Sequence, residues 1–230
     1  MKVLIACEES QTVCKAFRER GHEAYSYDIV DCSGDHPEWH IKQDVLPLLN
    51  GHCSFVTQNG ENVTIEGRWD LIIAHPPCTY LTNVATRHFS LRCTSAEKVV
   101  KRWEERAKAA VFFMQCMLAD CDRVAVENPV GFMSNAYRKP DQIISPYMFA
   151  DSVNDTENYV TKATCLWLKG LPTLKTNSLP RPNNRELFGV LPSGKAKTWE
   201  DTSCRKGGAS KHRSKTFSGI AKAMVEAWGQ

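Results

Sequence analysis

Long apolar runs, paired cysteines, repeats and a strong net charge are all missing from this 230-residue chain. No apolar stretch approaches the roughly 20 residues of a membrane-crossing helix, so no membrane partner is expected. The start, Met1-Lys2-Val3-Leu4-Ile5, lacks the charged and apolar regions and the cleavage site of a secretory leader, and a cytoplasmic location is expected. The ten cysteines include no Cys-x-x-Cys pair. Several of them (Cys7, Cys116, Cys165) lie in apolar runs, which suits reduced core thiols rather than a disulfide framework. The same spacing argues against structural zinc, and no metal is expected. A net charge of +3 says little about partners. Its distribution says more: from Lys195 to Lys222 eight Lys or Arg residues face two acids, Glu200 and Asp201. A basic segment of that kind suits phosphate contact, as it suits any solvated surface.

What is present reads as alternating strands and helices. Val3-Leu4-Ile5-Ala6 is a first strand. Gln11 to Arg20 follows as a helix, with Val13, Ala16 and Phe17 on one face, Ser10 as its N-cap and Gly21 as its stop. Glu23 to Tyr27 is a second strand ending at Asp28, and His40 to Val45 a short third one carrying Asp44. Strand-helix-strand at this spacing predicts a parallel sheet with right-handed crossovers. Asn59-Gly60, between Ser54–Thr57 and Glu61–Ile65, predicts an inserted hairpin. Asp70-Leu71-Ile72-Ile73-Ala74 and Val124-Ala125-Val126 are two further buried strands, and Cys165 to Leu168 another. Between them Thr94 and Glu97 predict a capping box. It opens a helix to about Asp120 whose stripe Val99, Trp103, Ala107, Ala110, Met114, Met117 reads as core. Leu179 to Gly208 reads as loop, and Thr216 to Trp228 as a final helix with Ile220, Met224 and Trp228 inward.

The chemistry gathers where two of these strands end. The Asp70 strand runs into His75-Pro76-Pro77-Cys78, and the Val124 strand into Glu127-Asn128-Pro129. Each delivers a reactive group at its C-terminal end, the ligand edge of an open α/β sheet. A thiolate at Cys78 can add to carbon 6 of a pyrimidine and make carbon 5 nucleophilic. A protonated carboxyl at Glu127, or one sharing a proton with ring nitrogen 3, can hold the charge that develops, and Asn128 can orient the base or its own loop. His75 can lower the thiol pKa. Taken singly, Cys78 is also a small apolar residue at a strand end, and Glu127 a loop salt-bridge partner.

Pro76-Pro77-Cys78 resembles the Pro-Cys nucleophile motif of cytosine carbon-5 DNA methyltransferases, and Glu127-Asn128-Pro129 resembles their Glu-Asn-Val motif. The resemblance implies a Rossmann-like, doubly wound, mostly parallel α/β fold of the class I S-adenosylmethionine-dependent methyltransferases. It implies one domain: a cofactor and catalytic core over residues 1–130 and a small C-terminal extension over 131–230. It also implies a methyl transfer to carbon 5 of cytosine in DNA, with Cys78 attacking the flipped base and Glu127 at nitrogen 3. S-adenosylmethionine would be held by the turn Ala6, Cys7, Glu8, Ser10, by Asp28 and Ile29 at the ribose, by Asp44 at the adenine, and beside His75 and Pro76. The segment Ser214 to Trp228 stands where that family has its closing helix.

The chain departs from the family in two places. The turn after Ala6, Cys7-Glu8-Glu9-Ser10-Gln11, carries two acids and no glycine. The Gln-x-Arg-x-Arg motif is replaced by Lys162-Ala163-Thr164, with Lys162 as its catalytic base-binding cation and Arg138 as another candidate. The stretch from Ser134 to Lys211 is short for a target-recognition domain, so a homodimer, a single-stranded substrate or a nucleotide-sized one would each fit, as would a compact, phage-like enzyme. Lys206, Lys211, Arg213 and Lys215 are the candidate nucleic-acid contacts. Two alternatives stand beside this reading. Pro-Pro-Cys-Thr-Tyr is also similar to the Pro-Pro-aromatic motif of methyltransferases that act on exocyclic nitrogens. The altered turn would equally suit a catalytically silent nucleic-acid-binding protein of the same fold.

Overall fold

A computed structural model describes residues 1–202 and 216–230; Lys206, Lys211, Arg213 and Lys215 lie outside the described residues. The strands in chain order are β1 (Lys2–Ala6), β2 (Glu23–Asp28), β3 (His40–Lys42), β4 (Cys53–Val56), β5 (Asn62–Ile65), β6 (Leu71–Ala74), β7 (Val124–Pro129), β8 (Gln142–Ile144) and β9 (Thr164–Lys169). Seven form one sheet of order β3-β2-β1-β6-β7-β9-β8, while β4 and β5 make the expected antiparallel hairpin. The sheet is parallel from β3 to β7 and reverses at β9, which runs antiparallel to both β7 and β8. The architecture is α/β and Rossmann-like.

The strand sequences explain the layering. Strands of a parallel sheet covered on both faces read as continuous apolar runs, and Val3 to Ala6 and Leu71 to Ala74 are fully buried. Alternate side chains feed two cores. Leu4, Ala6, Ile72, Ala74, Val124 and Val126 pack towards helix α2 (Ala96–Met117) and the hairpin residues Phe55 and Ile65. Val3, Ile5, Leu71, Ile73 and Ala125 pack towards α1 (Thr12–Glu19) and the last helix. Three short helices, α3 (Met133–Ala136), α4 (Asn184–Phe188) and α5 (Trp199–Thr202), precede that last helix, α6 (Ser218–Trp228), which buries Ile220, Met224 and Trp228 as its spacing predicts. Among the described residues no helix is long and apolar enough to cross a membrane.

Several expectations change. The N-cap of α1 is Gln11, not Ser10, and its side chain makes no cap bond; Ser10 Oγ meets Thr12 Oγ1 at 3.2 Å instead. The capping box at Thr94 does not form, because α2 starts one residue later on Ser95. The α2 stripe is core only in its C-terminal half. Phe113, Cys116 and Met117 are buried, but Ala107 is exposed and Trp103 is 49% exposed. The first half of this long helix packs instead on the segment around Phe89 and on Phe132. The third strand stops at Lys42, leaving Asp44 in the loop that follows.

Candidate active site

The connection from β1 leads to β2 on one side of the sheet, and that from β6 leads to β7 on the other. Their C-terminal ends therefore bound the crevice at the switch point, where ligands of such sheets bind. His75 N–H donates to Ala6 O at 2.9 Å and Glu8 N–H to Tyr27 O at 2.8 Å, extending the ladders to the rim.

Two prolines fix the backbone before Cys78. After it, Leu81 N–H (2.9 Å) and Thr82 N–H (3.0 Å) both donate to Cys78 O, so the thiol caps a closed turn and is exposed. Asn128, 2% exposed, donates from Nδ2 to Pro76 O at 2.8 Å and ties the β7 end to the β6 end. Phe132 N–H donates to Leu81 O at 2.7 Å, and Thr82 bridges Gly131. A Cβ on Gly131 would lie 2.0 Å from Leu81 O, so only glycine lets the two loops meet here. Gly131 was not among the expected site residues; a lone glycine beside a Pro-Val pair gives no sequence signal for a contact fifty residues away.

His75 Nδ1 lies 2.7 Å from Glu127 Oε2, with both side chains mostly buried. Burial alone would raise the Glu127 pKa, but the hydrogen bond from His75 and the charges of His75 and Lys162 outweigh it and hold the carboxyl below its usual range. Burial would lower His75, but the bond and charge of Glu127, with the charge of Glu8, hold the imidazole above its ordinary value. Each partner thus favours the charged form of the other. Two buried polar atoms at this end have no partner among the described residues: His75 Nε2 and Asn128 Oδ1.

Lys162 joins the pair, since its charge acts on both His75 and Glu127. The reversal of β9 puts it there. Thr164 pairs with Pro129 and Cys165 with Asn128, so the residues entering β9 stand at the edge where β7 ends. Lys162 N–H donates to Ser145 Oγ at 2.9 Å, and its Nζ lies 5.7 Å from the ring centres of both Trp199 and Phe217. Arg138 is committed elsewhere, bonded to Asp141 at 2.7 Å and Leu168 O at 3.1 Å, and leaves the candidate set.

The turn after β1 is built differently. Cys7 (φ 61°) and Gln11 (φ 58°) take the left-handed conformation that glycines would have provided. Glu8 points under α1, accepting from Val13 N–H at 2.6 Å and Cys14 N–H at 3.1 Å. Its carboxylate fills the helix N-terminus, an anion site a ligand would otherwise use, so the Glu8 side chain is spent on α1. Burial raises the Glu8 pKa, against the lowering charge of His75 and the two N–H bonds.

The nucleoside half of the expected cofactor fits better. Asp28 uses Oδ1 to accept from Ile29 N–H (2.7 Å) and Val30 N–H (3.3 Å), leaving Oδ2 at the β2 end. Ile29 beside it is 73% exposed, an apolar surface where a flat heterocycle can pack. Asp44 Oδ1 accepts from Leu46 N–H at 3.1 Å, on an exposed loop. Among the described residues no group of three or more His, Cys, Asp or Glu is placed to hold a metal. Comparison of the sequence with protein-family models and with curated proteins finds no match.

Proposed function

We propose that the chain transfers a methyl group from S-adenosylmethionine to carbon 5 of cytosine in DNA through a covalent Cys78 adduct. The observation that carries this reading is the double tie between the two strand ends, His75 to Glu127 and Asn128 to Pro76. It fixes a thiol and a proton-bearing pair on one lip of the switch-point crevice. Cys78 Sγ, as thiolate, adds to carbon 6, and the double-bond electrons move into the ring. Nitrogen 3 accepts a proton or a strong hydrogen bond from the His75–Glu127 pair, and carbon 5 becomes nucleophilic. Asp28, Ile29 and Asp44 would hold the cofactor's ribose and adenine, and the bound cofactor supplies an electrophilic methyl group. Loss of the carbon-5 proton to solvent then restores the double bond and expels Cys78. Lys162 keeps the Glu127 carboxylate charged between turnovers.

Wild-type protein with S-adenosylmethionine and DNA containing 5-fluorocytosine should form a denaturant-stable adduct, because fluorine at carbon 5 blocks the last elimination. Cys78→Ser should give none. Full methyl transfer by Cys78→Ser would reject the covalent route and favour an exocyclic nitrogen as acceptor.

A further inference from the structure

The first half of α2 carries a cluster that the chemistry above does not use. Arg106 is only 6% exposed, and its guanidinium carbon stacks 3.5 Å from the Phe89 ring centre, 4.8 Å from Phe132 and 5.0 Å from Trp103. Arg102 lies one turn earlier, 5.1 Å from the Tyr80 ring and 5.2 Å from Phe89. Trp103 meets Phe89 and Phe132 edge-on, at 5.2 and 6.5 Å, and leaves half its surface to solvent. Buried arginines are normally matched by carboxylates, yet among the described residues none lies within 4.0 Å of either guanidinium. Arg102 Nε is buried without a partner among those residues. Burial, and then the charge of Arg102, lowers the Arg106 pKa. Two like charges are thus held together with no acidic partner among the described residues.

The cluster touches the reacting loop. Arg106 Nε donates to Tyr80 O at 2.8 Å, two residues beyond Cys78. From Arg87 to Lys108 seven basic residues face three acids, against +3 for the whole chain. Excess positive charge thus surrounds a half-exposed indole.

We infer that this flank is a binding site for single-stranded nucleic acid, in which Trp103 stacks an unpaired base, Arg102 holds a phosphate beside the nucleotide at Cys78, and the buried Arg106 braces the aromatic cluster against the Tyr80 backbone. The assignment rests on the proposed reading that a nucleic acid is the substrate. Stacking on an exposed aromatic needs a base that is out of its helix, and cations without acids meet the backbone.

Binding of a fluorescein-labelled 12-nucleotide DNA strand, read by anisotropy without cofactor in the Cys78→Ser background, tests the site apart from the chemistry. Trp103→Ala should weaken binding roughly 10-fold or more, and Trp103→Phe should keep most of it. Arg102→Ala should weaken it and reduce the salt slope by about one unit. Thermal melts check that each variant is folded. Unchanged affinity in both alanine variants, or equal affinity of the parent for a duplex, overturns the site, even if wild-type protein traps on 5-fluorocytosine DNA. Loss in the variants without any trapping by the wild type would keep the site and reject the methyl transfer.

Discussion

The two rims of the crevice spend most of their polar groups differently. At the β1–β2 rim Glu8 is bonded to α1, and Gln11 to His36 N–H and O at 3.1 and 2.8 Å. His40 is fully buried between Ser26 Oγ and Val30 O, both 2.9 Å away. At the β6–β7 rim His75 Nε2 and Asn128 Oδ1 are buried with no partner among the described residues, as is Ser33 Oγ in the loop after β2, and Cys78 is exposed. Buried polar atoms without partners are costly, about 1–3 kcal/mol each, so a fold retains them where a ligand completes them. Most polar groups of the first rim brace the fold, with Asp28 Oδ2 left over at the β2 end, and the second rim is where bond-making is expected.

The sharpest way to break this comparison is Glu127→Gln. The amide cannot share the His75 proton, so transfer to carbon 5 should fall about 100-fold or more with the fold kept. A normal rate in a well-folded variant would make Glu127 a scaffold residue like Glu8.

Glu8→Ala should do the reverse. It strips two first-turn N–H groups of their acceptor and should cost about 1–3 kcal/mol, or several degrees in Tm. Covalent trapping should persist in the folded fraction. Lost trapping at an unchanged Tm would move Glu8 into the site.

The smallest effect concerns pH. The raised His75 pKa gives stability that is full below its ordinary value of about 6.5 and is lost as pH rises through the folded value. The lowered Glu127 pKa gives stability present above about 4.5 and lost as pH falls through its folded value. The Tm difference between wild type and His75→Gln should therefore be greatest between those limits and shrink on both the acid and the alkaline side. Melting curves showing a constant difference from acid to alkaline pH would remove the ion pair.

Much of the fold is legible in the chain. β1, β2, β6, β7 and α6 follow from apolar runs and helical spacing, and the hairpin from Asn59-Gly60. β8 is not, because three residues, Gln142–Ile144, are too few to show a period. The α2 stripe misleads because periodicity reports which residues share a face, and only the C-terminal half of that face is buried in the core. Lys162 could be nominated by place, yet its position depends on β9 running backwards, and the segment between β8 and β9 has too little helix for the crossover a parallel strand requires.

The sequence by itself determined the layered α/β class, the strand ends that carry Cys78 and Glu127, and the stiff turn that presents the thiol. Those are local properties, set by apolar runs and by proline. Only the tertiary structure decided that His75 belongs to Glu127, that the Glu8 side chain serves α1, and that Arg102 and Arg106 have no acidic partner among the described residues. Each of these depends on which groups fold within 3–4 Å of one another and out of water. A carboxylate and an imidazole 52 residues apart have no common property until the sheet sets their strands side by side.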